Sequence, residues 1–444
     1  GGTQDTSYEI ENSLRFNDGD SPYLSKTPSS AGNRRTFTIS LWAKRGDLNT
    51  SSVLYGAGSA VTDMFQIIMQ NDGDENRIIV QNRVSGTNNL HLVTTNSFRD
   101  PSAWYHIVLA VDTTQGTASN RAKLYVNGTQ ITAFNTEDYP SQNYDCHVNN
   151  TVAHHIGAQS RGSANDHFDG YITELHSIDG SAKAQTDFGE FNDNGVWVPK
   201  AYTGTYGTNG FFMEFKQTGT GTNASGIGAD TSGNDNHFAV NNLAATDVTE
   251  DTCTNNFAVI NSVWAGLSAR VAPTLSEGNT QVDHGSTDSG AWSTIIPANG
   301  KWYAEFKITN TSSNTSGISV QNLTDGEANW RADTFQNAKG YQFFMNGNKG
   351  NNGTATTSYG SAWSNNDIIG TAMDLDNGKL YFSVNGTYVD SGDPTSGSSG
   401  TGAAFSIDAG DLHCIGSGYK HSMQGQWNFG NPPFSISSGN SDAN

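Results

Sequence analysis

Short runs of alternating apolar and polar residues dominate the chain. TFTISLWAK, residues 36–44, puts Phe37, Ile39 and Leu41 on one face and Trp42 on the other, the period of a half-buried strand. WYHIVLAVD and the run that follows it predict strands over Tyr105–Asp112 and Ala122–Asn127. The second closes on Asn127-Gly128, a pair suited to a tight hairpin turn with positive φ. The device recurs in IIGTAMDLDNGKLYFSVNGT, Ile368–Thr387, where Lys379-Leu380-Tyr381 repeats Lys123-Leu124-Tyr125 and each is followed by Val-Asn-Gly-Thr. Further strands are expected over Met64–Gln70, Arg77–Asn82, His91–Thr95, His154–Gly157 and Phe168–Ile178. GKWYAEFKI opens a later series, with Trp302, Ala304, Phe306 and Ile308 on one face. No segment keeps apolar residues at i, i+3, i+4 and i+7 for three turns, so the expected class is all-β.

Composition agrees with that class. The 444 residues include 50 glycines and only 10 prolines, as short strands with many tight turns require, and exceed what one core organises. Two antiparallel β-sandwich (jelly-roll) domains are expected, over residues 1–185 and 290–444. The segment 186–289 between them, rich in aromatic, Gly and Asn residues, is expected to be a connector with short strands. A net charge of −20 disfavours nucleic acid and anionic membranes as partners. The longest apolar run, Ile107–Val111, is far too short to cross a bilayer. Cys146, Cys253 and Cys414 are distant and odd in number, so buried or free thiols are expected.

Candidate chemistry is sparse. Retaining glycoside hydrolysis needs two carboxylates about 5 Å apart, most simply alternating along one strand face. No such pattern occurs; Glu174 stands alone on its strand and reads as a solvated edge carboxylate, and Asp374 and Asp376 sit at a hairpin end. The expectation is therefore a protein without catalytic residues. Sugar binding would use an aromatic platform beside amide groups, a composition found at Trp330 and at Trp363 with Asn365. Asn17-Asp18-Gly19-Asp20 is an acidic, Gly-containing turn of the kind that offers oxygens to a hard cation, and Asp72, Asp74 and Glu75 form a second.

Three groups of motifs carry resemblances. The LRF and YL segments near the start, TFTISLWAK, WYHIVLAVD, KLYVNG and FDGYITELHSIDG together resemble a laminin-G-like, concanavalin A-like jelly roll. This resemblance implies carbohydrate or protein binding, and it brings the first turn near the closing strand. Calcium held by Asp18, Asp20 and Asp169 is the cofactor it suggests. GKWYAEFKI, the strand before Asp374-Leu375-Asp376 and the terminal NFGNPPF resemble a SPRY (B30.2-like) sandwich, a binding module. Between them FGEF, GVWVPKAYTG, YGTNGF and DTSGNDN resemble a connector of marine tailed-bacteriophage fibre and appendage proteins. That likeness implies a virion-surface protein assembled in the host cytoplasm, a tail fibre, spike or head appendage. It would adhere to host surface glycan or protein beside other virion proteins, often as a trimer; a decoration protein is the alternative it leaves.

Overall fold

The computed structural model describes residues 2–3, 8–49, 51–70, 75–263, 272–285, 289–311, 315–324, 339–351, 354–418, 423–430 and 434. They form two compact units, Gly2–Asn256 and Phe257–Asn444. Every strand pair among the described residues is antiparallel, and the described helical elements are 3-10 turns of three residues. The chain is all-β.

In the unit Gly2–Asn256 two eight-stranded sheets enclose one core. The first sheet runs in the order Thr129–Gln130, Ala122–Val126, Trp104–Asp112, Thr36–Arg45, Gly170–Asp179, Ser13–Phe16 and Val248–Thr249, and Phe211–Met213 also pairs with Gly170–Asp179. The second runs Phe134–Asp138, Thr87–Thr94, Arg77–Val84, Asp63–Gln70, Ser52–Ala60, Ala153–Ile156, Tyr23–Lys26 and Ala239–Asn241. Alternation explains the packing: Phe37, Ile39 and Leu41 meet Phe65, Ile67 and Leu92 in a dry interior. Ser52–Ala60 has no clean alternation because Gly56 and Gly58 lie beneath the backbone of Gln159 and Ser160, which a Cβ at Gly56 would meet at 2.9 Å.

Residues 186–256, expected as a connector, build this same unit. Their two- and three-residue strands pair with strands from its beginning, Ala239–Asn241 with Tyr23–Ser25 and Val248–Thr249 with Ser13–Leu14. Phe188, Tyr202 and Tyr206 then cover Val108 and Ile178 on the outer side of the first sheet.

The unit Phe257–Asn444 is a second sandwich. One sheet carries Thr274–Ser276, Gln281–Asp283, Met423–Asn428, Lys301–Thr311, Ile368–Asp374, Lys379–Val384 and Thr387–Tyr388 in that order. The other carries Gly290–Trp292, His413–Gly418, Gly317–Asn322, Gly340–Phe344, Asn348–Asn351 and Thr354–Ser358. Its core gathers Phe306, Ile308, Phe343, Phe382 and Trp427. The expected connector residues 274–283 therefore belong to this sheet, through pairing of Gln281–Asp283 with Gln424–Gln426.

Candidate functional site

The outer face of the first sheet in the unit Gly2–Asn256 holds the richest chemistry. With Phe37, Ile39 and Leu41 in the core, Ser40, Trp42 and Lys44 must point outward. Trp42 is directly opposite His106 in the neighbouring strand, and Lys44 opposite Trp104. Residues directly opposite share a face, so Trp42 and His106 stack, their centroids 4.6 Å apart.

A hairpin from the supposed connector, Gly189–Phe191 paired with Trp197–Pro199, supplies the next ring. Trp197 lies 5.9 Å from His106 in a near-parallel stack and donates its indole N–H to His106 Nδ1 at 2.9 Å. The Asn127-Gly128 turn makes room for it. Gly128 has φ +77°, and a Cβ there would run into the Trp197 ring. Asn127 accepts a hydrogen bond on Oδ1 from His106 N at 2.8 Å.

Because an indole only donates, His106 Nδ1 accepts, and the ring proton resides on Nε2, 2.9 Å from Ser40 Oγ. Burial pushes the His106 pKa down to about 3, with His176 adding repulsion, so the ring is neutral at physiological pH.

Beside this stack Lys44 is wholly buried. Its Nζ donates to Asp251 Oδ2 at 2.8 Å and to Asn256 Oδ1 at 2.9 Å. Asp251 Oδ1 accepts the Trp104 indole N–H at 3.2 Å, and Asn256 Nδ2 donates to Ser102 O at 2.8 Å. Trp42, Trp104, Trp197, Phe191, Asn127 and Asn256 together line an open cavity of about 410 Å³. Phe191 is 56% exposed at its rim, edge-on to Trp197. Its described lining residues offer flat rings and carboxamides and include no carboxylate. Such a surface can stack the exposed Phe191 ring against the apolar face of a ring-shaped ligand while the Asn127 amide meets its hydroxyls.

Glu174 corrects an expectation. It is buried, at 5% exposure, not solvated: a register shift between Thr173 and His176, with Glu174 at φ +48°, takes it off the core face that Ile172 occupies, and Tyr8 and His176 close around it. Tyr8 donates to Glu174 Oε1 at 2.8 Å, His176 Nε2 lies 3.1 Å from Oε2, and His176 Nδ1 lies 2.9 Å from the Tyr206 hydroxyl. Phe212 stacks on His176 at 4.2 Å. Burial and the Glu174 charge push the Tyr8 and Tyr206 hydroxyls far above the usual tyrosine range.

The sequence-predicted residues lie elsewhere. Asp18 and Asp20 form a 3-10 turn, where Asp20 accepts from Asn17 Nδ2 at 2.8 Å. Asp169 is buried; its Oδ1 accepts Asp47 N and its carbonyl oxygen accepts Gly46 N, both at 3.0 Å. Among the described residues no group of three or more His, Cys, Asp or Glu side chains is arranged to hold a metal ion. Trp363 is 3% exposed and packs on Phe343 in the second core, so it offers no open platform, while its neighbour Asn365 is exposed. Trp330, Asp72 and Asp74 lie outside the described residues. The groove residues Trp42, Trp104, Phe191 and Trp197 were not singled out by sequence reasoning. Their signal was present in the outward positions of two alternating strands and in the GVWVP motif.

Residues 18–186 match the family described as the concanavalin A-like lectin/glucanases superfamily, in agreement with the jelly roll formed there. No curated protein matches the chain. The solved structures similar to it include the SPRY domain of human HERC1, at 17% identity and TM-score 0.26, covering 33% of this chain and 87% of that one. A native heptameric SAP-like pentraxin from Limulus polyphemus is 16% identical with TM-score 0.31, covering 40% and 80%. Domain 4 of AbnA, a GH43 extracellular arabinanase from Geobacillus stearothermophilus in complex with arabinotriose, is 18% identical with TM-score 0.26, covering 34% and 64%.

Proposed function

We propose that this is a non-enzymatic adhesion protein whose first unit binds carbohydrate in the groove between Trp104, Trp197 and Phe191. The observation that carries the reading is the groove's make-up: the exposed Phe191 ring beside the buried Trp42, Trp104 and Trp197, with the amide of Asn127, around about 410 Å³. The concanavalin A-like lectin/glucanase match over residues 18–186 supports it, since that fold is compatible with carbohydrate or protein ligands. The setting we propose is the surface of a tailed-bacteriophage virion, supported by the resemblance of FGEF, GVWVPKAYTG and DTSGNDN to phage appendage connectors. There, several copies in one fibre or appendage would turn weak single contacts into avidity for host surface glycan.

A glycan array probed with the purified chain tests the reading. Binding to a defined set of bacterial surface glycans, lost in Phe191→Ala, is the expected result. A chain that binds no glycan on the array, yet binds isolated virion proteins, would favour a decoration role. Release of reducing sugar from a bound polysaccharide would overturn the non-enzymatic assignment.

A further inference from the structure

Asn256 lines the groove and also belongs to a second group, with Lys44 and Asp251. An amine, a carboxyl and a carboxamide meet in a site where Lys44 is wholly buried and Asp251 is 2% exposed. Lys44 Nζ lies 2.9 Å from Asn256 Oδ1 and 2.8 Å from Asp251 Oδ2. Trp104 fixes the other carboxylate oxygen, and the Tyr171 ring lies 5.7 Å from the amine. We propose that Lys44 and Asn256 join in an intramolecular isopeptide bond, with Asp251 as the proton shuttle.

The step balances within the protein. In a dry site the ion pair relaxes toward its neutral form, the proton passing from Lys44 Nζ to Asp251 Oδ2. The amine lone pair then attacks Asn256 Cγ, forming the new C–N bond, while the Asp251 proton moves to Oδ1 of the tetrahedral intermediate. Asp251 next takes a proton from the former lysine nitrogen, and as the intermediate collapses the Oδ1 proton passes to Nδ2, the C=O bond re-forms and the bond from Cγ to Nδ2 breaks. Nδ2 leaves as ammonia, which departs as ammonium once it takes the remaining proton and restores the Asp251 carboxylate. No oxidant, reductant or outside reactant enters. Burial lowers the Lys44 pKa, with Asp251 opposing the shift, which eases release of the proton that the attack requires. Ser102 O holds the leaving amide group, and Asn256 also lines the groove, which gives ammonia an exit.

The consequence is mechanical. The bond would close a loop spanning a separation of 212 residues and clamp the end of the first unit to a central strand of its sheet. A protein pulled while attached to a surface gains from a covalent tie that hydrogen bonds alone do not supply.

Peptide mapping by mass spectrometry of the folded, full-length chain tests this directly. Expected are an intact mass lower than the sequence mass by one ammonia and a branched peptide joining Lys44 to Asn256. The branched peptide decides, because succinimide formation at an Asn-Gly pair also loses ammonia. Separate, unmodified Lys44 and Asn256 peptides from folded wild-type protein would overturn the proposal, as would a Lys44–Asp251 link, recognised by loss of water. Asp251→Asn, shown to be folded by circular dichroism, should lack the branched peptide; its persistence would remove Asp251 from the reaction. If that variant does not fold, the wild-type map alone still decides.

Discussion

Trp197 and His106 hold each other in place: the indole N–H reaches His106 Nδ1 at 2.9 Å while the two rings stack at 5.9 Å. One residue comes from a hairpin in the region read as a connector, the other from a central strand. Trp197 thus fastens the groove's roof to its floor. Replacing it by Ala empties a buried site and should cost about 3–5 kcal/mol in chemical denaturation. Trp197→Phe keeps most of the ring but leaves His106 Nδ1 without its donor, which should cost about 1–3 kcal/mol. Equal losses for the two variants would show that the hydrogen bond, not the packing, carries the contact.

Burial of histidines makes stability depend on pH. His106 titrates at about 3 and His154 at about 4 in the fold, both lowered chiefly by burial, against about 6.5 in an unfolded chain. Between those values the unfolded state binds more protons than the native one. Stability contributed by the neutral rings is therefore full above about pH 6.5 and is lost as pH falls toward the folded values. Each histidine contributes a slope of up to about 1.4 kcal/mol per pH unit in that window. Urea titrations at several pH values from 7 to 4.5 should show the decline, and His106→Gln should flatten it. An unchanged slope in that variant would mean that His106 is protonated in the native state.

Phe191 separates binding from folding. It is 56% exposed, so Phe191→Ser should change stability by no more than about 0.5 kcal/mol. As the open ring at the rim of the groove, it should nevertheless matter to a stacked ligand. We expect at least a tenfold loss of affinity for any glycan found on the array, measured by calorimetry, with the wild-type melting temperature retained. Full affinity in the variant would move the binding site away from this groove.

The alternating strands were legible because each residue's face follows from its neighbours. Phe37, Ile39 and Leu41 could be placed inward from TFTISLWAK alone, and the turns at Asn127-Gly128 and Asn385-Gly386 do take positive φ. The remainder was hidden by distance along the chain. Val248–Thr249 is too short to carry a pattern, and only its pairing with Ser13–Leu14 makes it a strand. Glu174 misled because a lone carboxylate on a strand reads as solvated, while Tyr8, distant in the chain, and His176 close around it. Trp363 shows the ambiguity of a lone tryptophan, whose composition-rich surroundings fit a surface platform as well as the core it occupies. In the groove, Trp42 and Trp104 were readable as outward residues, but nothing local announced that Trp197 would fold back over them.

Calcium can be tested at the turn where the sequence suggested it. Burial and the neighbouring Asp47 charge raise the Asp18 pKa, so the fold prefers this carboxyl protonated. For a raised carboxyl the favourable contribution is full below its unfolded pKa and is lost as pH rises through the folded one, leaving Asp18 a net liability at neutral pH. Without divalent cations, Asp18→Asn should accordingly raise the melting temperature at pH 7. A calcium ion drawing on Asp18 and nearby backbone carbonyls would relieve the same repulsion in the wild type. Calcium should then raise the wild-type melting temperature and leave Asp18→Asn unmoved. A wild-type melting temperature that ignores millimolar calcium would remove the ion from this turn, while equal shifts in both proteins would place it elsewhere in the chain.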